Sequence, residues 1–250
     1  MSPSDPKCDA VDAAIRRALA ARSRRPLVVG LCGAQGSGKS TLAAALHARF
    51  ERDAIASAVL SLDDLYLTRA ERSDLAARVH PLLRTRGVPG THDVALGLEV
   101  IDALERGEAA ALPRFDKAHD DRLPCSAWGW APAGTVVLIL EGWCVGARPQ
   151  PEADLAQPVN RLEREEDPDG TWRRFANAAL AGDYQRLFAR IDLLVLLAAP
   201  GFETVLEWRS EQERDLRQRA GPDAPGLMSA AELARFVQHY ERLTRHILVE

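Results

Sequence analysis

The sequence predicts an α/β fold: a parallel five-stranded sheet flanked by helices, ending in a helical lid and C-terminal region. Three observations predict it. Apolar runs at residues 27–32, 135–142 and 190–198 show little or no polar alternation, the pattern of strands buried on both faces. These runs mostly alternate with longer segments whose apolar residues recur at helical spacing. A glycine-rich turn joins the first run to a helix-forming segment, Thr41-Leu42-Ala43-Ala44-Ala45-Leu46. The chain has 250 residues, 46% hydrophobic and 27% charged, which suits one domain with insertions and a sizeable core.

In order, residues 8–22 read as a packing or interface helix, with Val11, Ile15, Ala18 and Leu19 on one face. A basic turn at 22–26 leads into the strand at 27–32. Gly33, Gly38, Lys39 and Ser40 then satisfy G-x-x-x-x-G-K-[ST], with a helix from Lys39 to about Arg52. The chemistry explains the residue types. Glycines let backbone approach a phosphate closely. Successive amides and the helix N-terminus make an anion site. Gly33, Ala34, Gln35, Gly36, Ser37, Gly38, Lys39, Ser40 and Thr41 are therefore the candidate nucleotide cradle. Lys39 would reach the β- and γ-phosphates, and the Ser40 hydroxyl would ligate Mg²⁺. A flexible Gly/Ser turn is the bland reading, and the strand and helix flanks count against it.

The strand at 56–62 ends in Asp63 and Asp64, followed by Tyr66. Ligands of open α/β sheets bind beyond the carboxyl ends of strands. A phosphoryl-transfer site needs an acid there to orient and deprotonate a hydroxyl. Either Asp could instead cap a turn. Thr68 and Glu71 form a capping box for a helix reaching Arg78. Residues 80–93 are punctuated by Gly and Pro and rich in Arg and His. Two readings stand: a loop for an anionic hydroxylated substrate, or a solvated loop with Thr91 or Asp93 capping the helix at 94–104. Residues 109–115 read as a strand leading into the run 114–122, a solvated loop of mixed charge. The run 135–142 carries Glu141 near its end, the Walker B arrangement, whose acid holds Mg²⁺ directly or through water.

Residues 146–169 are Pro-rich, then acidic, without periodicity, and read either as a functional loop or as an insertion. A helix at 170–190, the last strand at 190–198, a helix at 202–219 and a final helix at about 229–248 complete the chain. The 202–219 helix carries Trp208, Arg209, Arg214, Arg217 and Arg219. It is either a lid over phosphates or a salt-bridged exposed helix. A Gly/Pro turn spans 220–226, and Ser229 with Glu232 caps the final helix.

Together these motifs resemble the P-loop small-molecule kinases that include uridine kinase, phosphoribulokinase and bacterial pantothenate kinase. The likeness is closer to the plant-type D-glycerate 3-kinase family and its fungal and bacterial relatives. It is carried by Gly33–Ser40, Ser61-Leu62-Asp63-Asp64-Leu65-Tyr66, Arg86-Gly87-Val88-Pro89-Gly90-Thr91-His92-Asp93, Pro113-Arg114-Phe115-Asp116-Lys117, Leu140-Glu141-Gly142-Trp143 and Glu207-Trp208-Arg209 with Glu213, over about residues 27–245. The resemblance implies a P-loop NTPase fold, ATP, Mg²⁺ and a small-molecule acceptor between strand 2 and the 86–93 loop. Asp63 matches the base position, while Asp64 falls where relatives often have Ser or Gly. Glu141 matches the Walker B acid and, with Ser40, the metal position. Arg209 lies where relatives have lid arginines. Asp63, Lys39 and Arg209 are thus the expected catalytic groups, and Tyr66, Arg86, His92 and Asp93 the expected acceptor groups, with Arg86 suited to a carboxylate. The stretch 158–183 fits a bacterial branch, so the acceptor is less constrained than the chemistry.

D-glycerate is the expected acceptor; pantothenate, a nucleoside or a sugar phosphate are the alternatives, followed by an ATP-binding regulatory protein and a degenerate scaffold. A GTPase switch fits poorly. Asp167-Pro168-Asp169-Gly170 matches D-x-x-G, but no buried strand precedes it and no N-K-x-D follows the last strand. A net charge of −4 gives no field for nucleic acid or an anionic membrane. The start of the chain lacks a signal-peptide layout, and the four cysteines have no metal-ligand spacing, as expected of a cytoplasmic protein.

Overall fold

The computed structural model describes residues 5–22, 26–220 and 228–250, with side chains 216, 219 and 220 excepted. The expected turn at 220–226 and the Arg219 side chain lie outside the described residues, as does most of the basic turn at 22–26.

Helix α1 (Pro6–Ala20) is capped by Asp5 and buries Ile15. Strand β1 (Leu27–Gly33) is buried at every residue, and α2 (Lys39–Arg52) follows the glycine turn. Strand β2 (Ser57–Ser61) ends in a 3-10 turn, Leu62–Leu65. Helix α3 (Arg69–Arg78) opens on the expected capping box of Thr68 and Glu71, and α4 (Val94–Glu105) is capped by Asp93 rather than Thr91. Four short strands follow: β3 (Ala110–Leu112), β4 (Phe115–Asp116), β5 (Asp121–Arg122) and β6 (Gly129–Ala131). Then come β7 (Val137–Gly142), α5 (Arg161–Glu166), α6 (Thr171–Ala179) and α7 (Gln185–Phe188). Strand β8 (Leu193–Leu197), α8 (Phe202–Ala220) and α9 (Ala230–Val249) complete the fold, α9 opening on the Ser229–Glu232 capping box.

Among the described residues the central sheet has four strands, all parallel, in the order β2-β7-β1-β8. The expectation of five is corrected here. The run at 109–115 does not join the sheet: β3 pairs antiparallel with β6, and β4 with β5. Pro113 separates β3 from β4 and has no N–H to give a ladder, so neither piece extends. Apolar clusters cover both faces of the sheet: α1 and α2 on one side, α4 and α7 with Tyr240 of α9 on the other.

The 146–169 segment is not the bare loop its composition suggests. It contains α5, capped by Asn160, and two buried ion pairs fasten it: Glu163 with Arg242 of α9 at 2.7 Å and Asp167 with Arg173 of α6 at 2.9 Å. The Asp167 carboxylate also accepts the backbone N–H groups of Trp172 (2.7 Å) and Arg173 (3.2 Å), so D-x-x-G here starts a helix. No described helix is long and apolar enough to cross a membrane.

Register positions the site. Leu31 of β1 and Ser61 of β2 both sit level with Glu141 of β7, which brings the carboxyl ends of three strands to one edge.

Candidate active site

The glycine turn leaves β1 through two left-handed positions, Gly36 (φ +85°) and Gly38 (φ +83°), where a Cβ is unfavourable. Gly38 is the N-cap of α2 and supplies no side chain, so the first amides of that helix are left for an anion. A Cβ on Gly36 would lie 2.4 Å from Cβ of Trp208, so α8 packs directly on the turn. Lys39 and Ser40 open α2 and line a polar cleft with Gln35 and Gly36.

Glu141 is only 4% exposed. Its Oε1 accepts hydrogen bonds from Ser40 Oγ at 3.1 Å and Ser61 Oγ at 2.7 Å, while its Oε2 is buried without a hydrogen-bond partner. A buried carboxylate oxygen with no donor, beside the serine of the glycine turn, is what a hard divalent cation fits. The two expected metal residues thus share one contact. Ser61 is an addition that sequence reasoning missed; its one signal is its place at the end of β2, level with the acid.

Asp63 and Asp64 separate cleanly. The 3-10 turn sends Asp63 into the cleft, where Oδ1 accepts from the Tyr66 hydroxyl at 2.8 Å and Oδ2 from Lys117 Nζ at 2.6 Å. Burial alone would raise the Asp63 carboxyl, but Lys117 and Lys39 outweigh it and hold the group well below the usual carboxylate range. Asp64 instead ties the chain before the β4–β5 hairpin, accepting from Arg114 Nη1 at 2.9 Å and Phe115 N–H at 3.0 Å. Lys117 belongs to the Pro113–Lys117 motif, yet nothing in its sequence neighbourhood marks it as a partner of Asp63, which is 54 residues away.

The 86–93 loop is a tight, largely buried turn. Thr91 Oγ1 accepts from Gly87 N–H at 3.0 Å and donates to the Val88 carbonyl at 2.7 Å, and Trp143 Nε1 donates to the Gly87 carbonyl at 2.9 Å. A Cβ on Gly87 (φ +140°) would lie 2.2 Å from the Tyr240 hydroxyl. Among the expected acceptor groups, Tyr66 and Arg86 line the cleft, whereas His92 and Asp93 are not among its lining residues. His92 stacks on Tyr66 at 4.5 Å, turned inward toward the Tyr184 hydroxyl, and burial pushes its pKa down to about 3. It is a neutral buried ring and offers no charge to an anion. Asp93 is spent on capping α4, accepting from Leu96 N–H at 3.1 Å, and on Arg122 at 3.2 Å. His92 and Asp93, expected to touch the acceptor, thus lie outside the lining of this cleft, which Tyr66 and Arg86 reach.

Helix α8 brings Arg209 and Gln212 to the cleft, with Arg209 Nη1 donating to Gln212 Oε1 at 2.8 Å and Arg209 Nε buried without a partner. Arg214 and Arg217 are exposed and outside the lining, and Arg217 Nη2 donates instead to the Met228 carbonyl at 3.0 Å. Phe236 and Tyr240 of α9 close the remaining side. The arrangement is a phosphate cradle, a cation-ready carboxylate, an ionised Asp and two arginines around one cleft. That set is suited to in-line phosphoryl transfer.

The model of the Phosphoribulokinase / Uridine kinase family matches residues 28–147. The chain is 39% identical over 225 residues to the uncharacterized kinase mug58 of Schizosaccharomyces pombe, covering 86% of this chain and 79% of that one. It is 32% identical over 225 residues to the chloroplastic D-glycerate 3-kinase of Arabidopsis thaliana, covering 86% of this chain and 46% of that protein, so it spans about half the plant protein's length. Among solved structures, D-glycerate 3-kinase from Cryptococcus neoformans superposes with a TM-score of 0.82 at 25% identity, covering 97% of this chain and 89% of that one.

Proposed function

Because the chain belongs to the phosphoribulokinase/uridine kinase family of P-loop kinases, we propose that it transfers the γ-phosphoryl group of ATP to a hydroxyl of D-glycerate. The observation that carries this reading is Asp63, an acid at the end of β2 in one cleft with Lys39 and Arg86. Two relatives named as D-glycerate 3-kinases support the choice of acceptor.

In this reading the acceptor hydroxyl is oriented by Asp63. Its oxygen forms a bond to the γ-phosphorus as the bond to the β–γ bridging oxygen breaks. ADP leaves with that electron pair, and the hydroxyl proton passes to Asp63. Lys39 and the glycine-turn amides hold the triphosphate, and Arg209 meets charge on the transferring group. Ser40 and Glu141 would hold Mg²⁺, whose charge offsets that of the phosphates. Low basicity does not disqualify Asp63. The transition state of phosphoryl transfer is loose, so positioning the hydroxyl matters more than early proton removal. Cys8, Cys32 and Cys144 are free and buried, in keeping with a reducing, cytoplasmic setting.

The test is an ATP-consumption screen with Mg²⁺ against D-glycerate, pantothenate, uridine and ribulose 5-phosphate, with the product identified by phosphorus NMR. Turnover with D-glycerate is expected. Silence there with turnover on another acceptor reassigns the substrate, and ATP binding without acceptor-dependent turnover favours a regulatory nucleotide-binding protein.

A further inference from the structure

Two cations face the acceptor side of the cleft, and both rest on carboxylates. Arg86 pairs with Asp120, which also holds Arg72 through contacts at 3.1 and 2.9 Å. That cluster is built in. Arg72 is fully buried, its Nη2 donates to the Asp120 carbonyl at 2.7 Å, and both guanidinium groups lie 5.6 Å from the Phe115 ring. Moving Arg86 would disturb the anchor of a buried guanidinium.

Lys117 is held differently. It sits in the chain joining β4 to β5, its side chain is 60% exposed, and its ammonium donates to Asp63 Oδ2 at 2.6 Å. Its stem is flexible and only that ion pair must break for it to move. The carboxylate it occupies is the one the acceptor hydroxyl needs. With Lys117 in place, part of the Asp63 charge is already answered, which weakens it as a hydrogen-bond acceptor and as a base. Tyr66 binds the other oxygen of Asp63 at 2.8 Å, so the carboxylate stays oriented if Lys117 leaves.

We infer that Lys117 is the specificity-determining residue for the acceptor's charge: it exchanges Asp63 for a carboxylate of the acceptor, and that exchange frees Asp63 Oδ2 for the hydroxyl. The inference rests on the kinase reading above and adds to it the residue that reads the acceptor's charge. The acceptor is a hydroxy acid small enough to place its carboxylate on Lys117 while its hydroxyl reaches Asp63. A neutral polyol gives Lys117 nothing to move to, so Asp63 stays paired and the polyol is a poor substrate even where it fits. The Lys117 ammonium keeps a carboxylate partner through the exchange, so it is never left bare.

The experiment compares D-glycerate with glycerol, a neutral acceptor of the same carbon count, in wild-type protein and in Lys117→Met and Lys117→Arg. Steady-state turnover with ATP and Mg²⁺ is the readout. For wild type, kcat/KM is expected to favour D-glycerate strongly. In Lys117→Met the KM for D-glycerate rises on the order of 10- to 100-fold, the worth of one charge-assisted hydrogen bond. Glycerol's kcat/KM improves because Asp63 is no longer paired, so the discrimination collapses, and Lys117→Arg recovers part of it; a glycerol rate that does not rise overturns the inference. The KM for ATP stays put. Proportional losses on both acceptors, or a rise confined to the KM for ATP, overturn the inference and place Lys117 on the triphosphate. A wild-type protein without D-glycerate-dependent turnover overturns the functional reading itself, which is a distinguishable failure. The exposed position of Lys117 means the variants fold, and a melting curve matching wild type verifies it.

Discussion

Asp63 and Asp64 are neighbours in sequence with different tasks. Asp63 lies in the cleft between Tyr66 and Lys117, whereas Asp64 anchors Arg114 and the Phe115 amide. Asp63→Asn keeps the shape and removes the charge, so kcat is expected to fall by on the order of 10²- to 10⁴-fold with little change in the KM for ATP. Asp64→Asn keeps one oxygen for the Phe115 amide and loses its ion pair, so the main effect is a raised acceptor KM. Kinetics of the two variants side by side check this; the opposite pattern exchanges their roles. The chain alone left the two residues open, and the reason is physical. Their separation depends on Arg114, Phe115 and Lys117, all at least 50 residues downstream, reaching back across the fold. The pairing of Glu141 with Ser40 was more legible, because each residue ends or starts an element whose position the sheet order fixes.

At the level of elements, strand–turn–helix segments were the most readable. β1, the glycine turn and α2 fall where the residues demand, and so do the capping boxes at Thr68 and Ser229. The 86–93 loop was less so. Its polar composition suggested side chains reaching for a ligand, yet Thr91 closes the turn on itself, His92 turns to Tyr184, and the backbone groups of Gly87 and Gly90 pair with Thr91, Trp143 and Tyr184. Polarity in such a loop reports backbone groups that need partners as readily as it reports a substrate. The contact between the glycine turn and α8 was invisible in sequence, and it carries a prediction. Gly36 sits at φ +85° with Cβ of Trp208 only 2.4 Å from where its own Cβ would be. Gly36→Ala must strain the turn and push α8, and with it Arg209, away from the phosphates. The left-handed conformation costs an L-residue about 1–2 kcal/mol before any clash, so the KM for ATP should rise on the order of 10-fold. Nucleotide titration of the variant measures that, and the melting temperature should also fall by about a few degrees, because the folded chain carries the strain with or without nucleotide.

The molecule as a whole joins its acceptor wall to its C-terminal helix through buried polar groups, and this gives it a particular response to acid and to mutation. His92 and His239 are both buried, and burial pushes their pKa values down to about 3 and about 4. The folded chain keeps both rings neutral while the unfolded chain protonates them near pH 6.5. Below about pH 6.5 the unfolded state therefore binds more protons, and stability falls as pH drops toward the folded values. Melting temperatures at pH 7 and pH 5 should show the fall, and His239→Gln should flatten it. The ion pair of Glu163 with Arg242 makes the stronger case. Arg242 Nε and Nη2 both donate to Glu163 at 2.7 Å, Nη1 donates to the Asp154 carbonyl at 2.7 Å, and the two side chains are 9% and 1% exposed. Arg242→Met leaves a buried carboxylate without its partner and should cost about 3–5 kcal/mol, read as a shift in denaturation midpoint. Adding Glu163→Gln removes the stranded charge, so the double variant should regain a good part of the loss. Function follows stability here by a defined route. Arg242 is two residues from Tyr240, whose hydroxyl donates to the Arg86 carbonyl at 3.2 Å and whose ring lines the cleft. Loosening α9 should thus raise the acceptor KM in Arg242→Met while the glycine turn still binds ATP, and the double variant should restore acceptor binding in step with stability. If stability returns without the acceptor KM, the ion pair holds the fold together but does not position the acceptor wall.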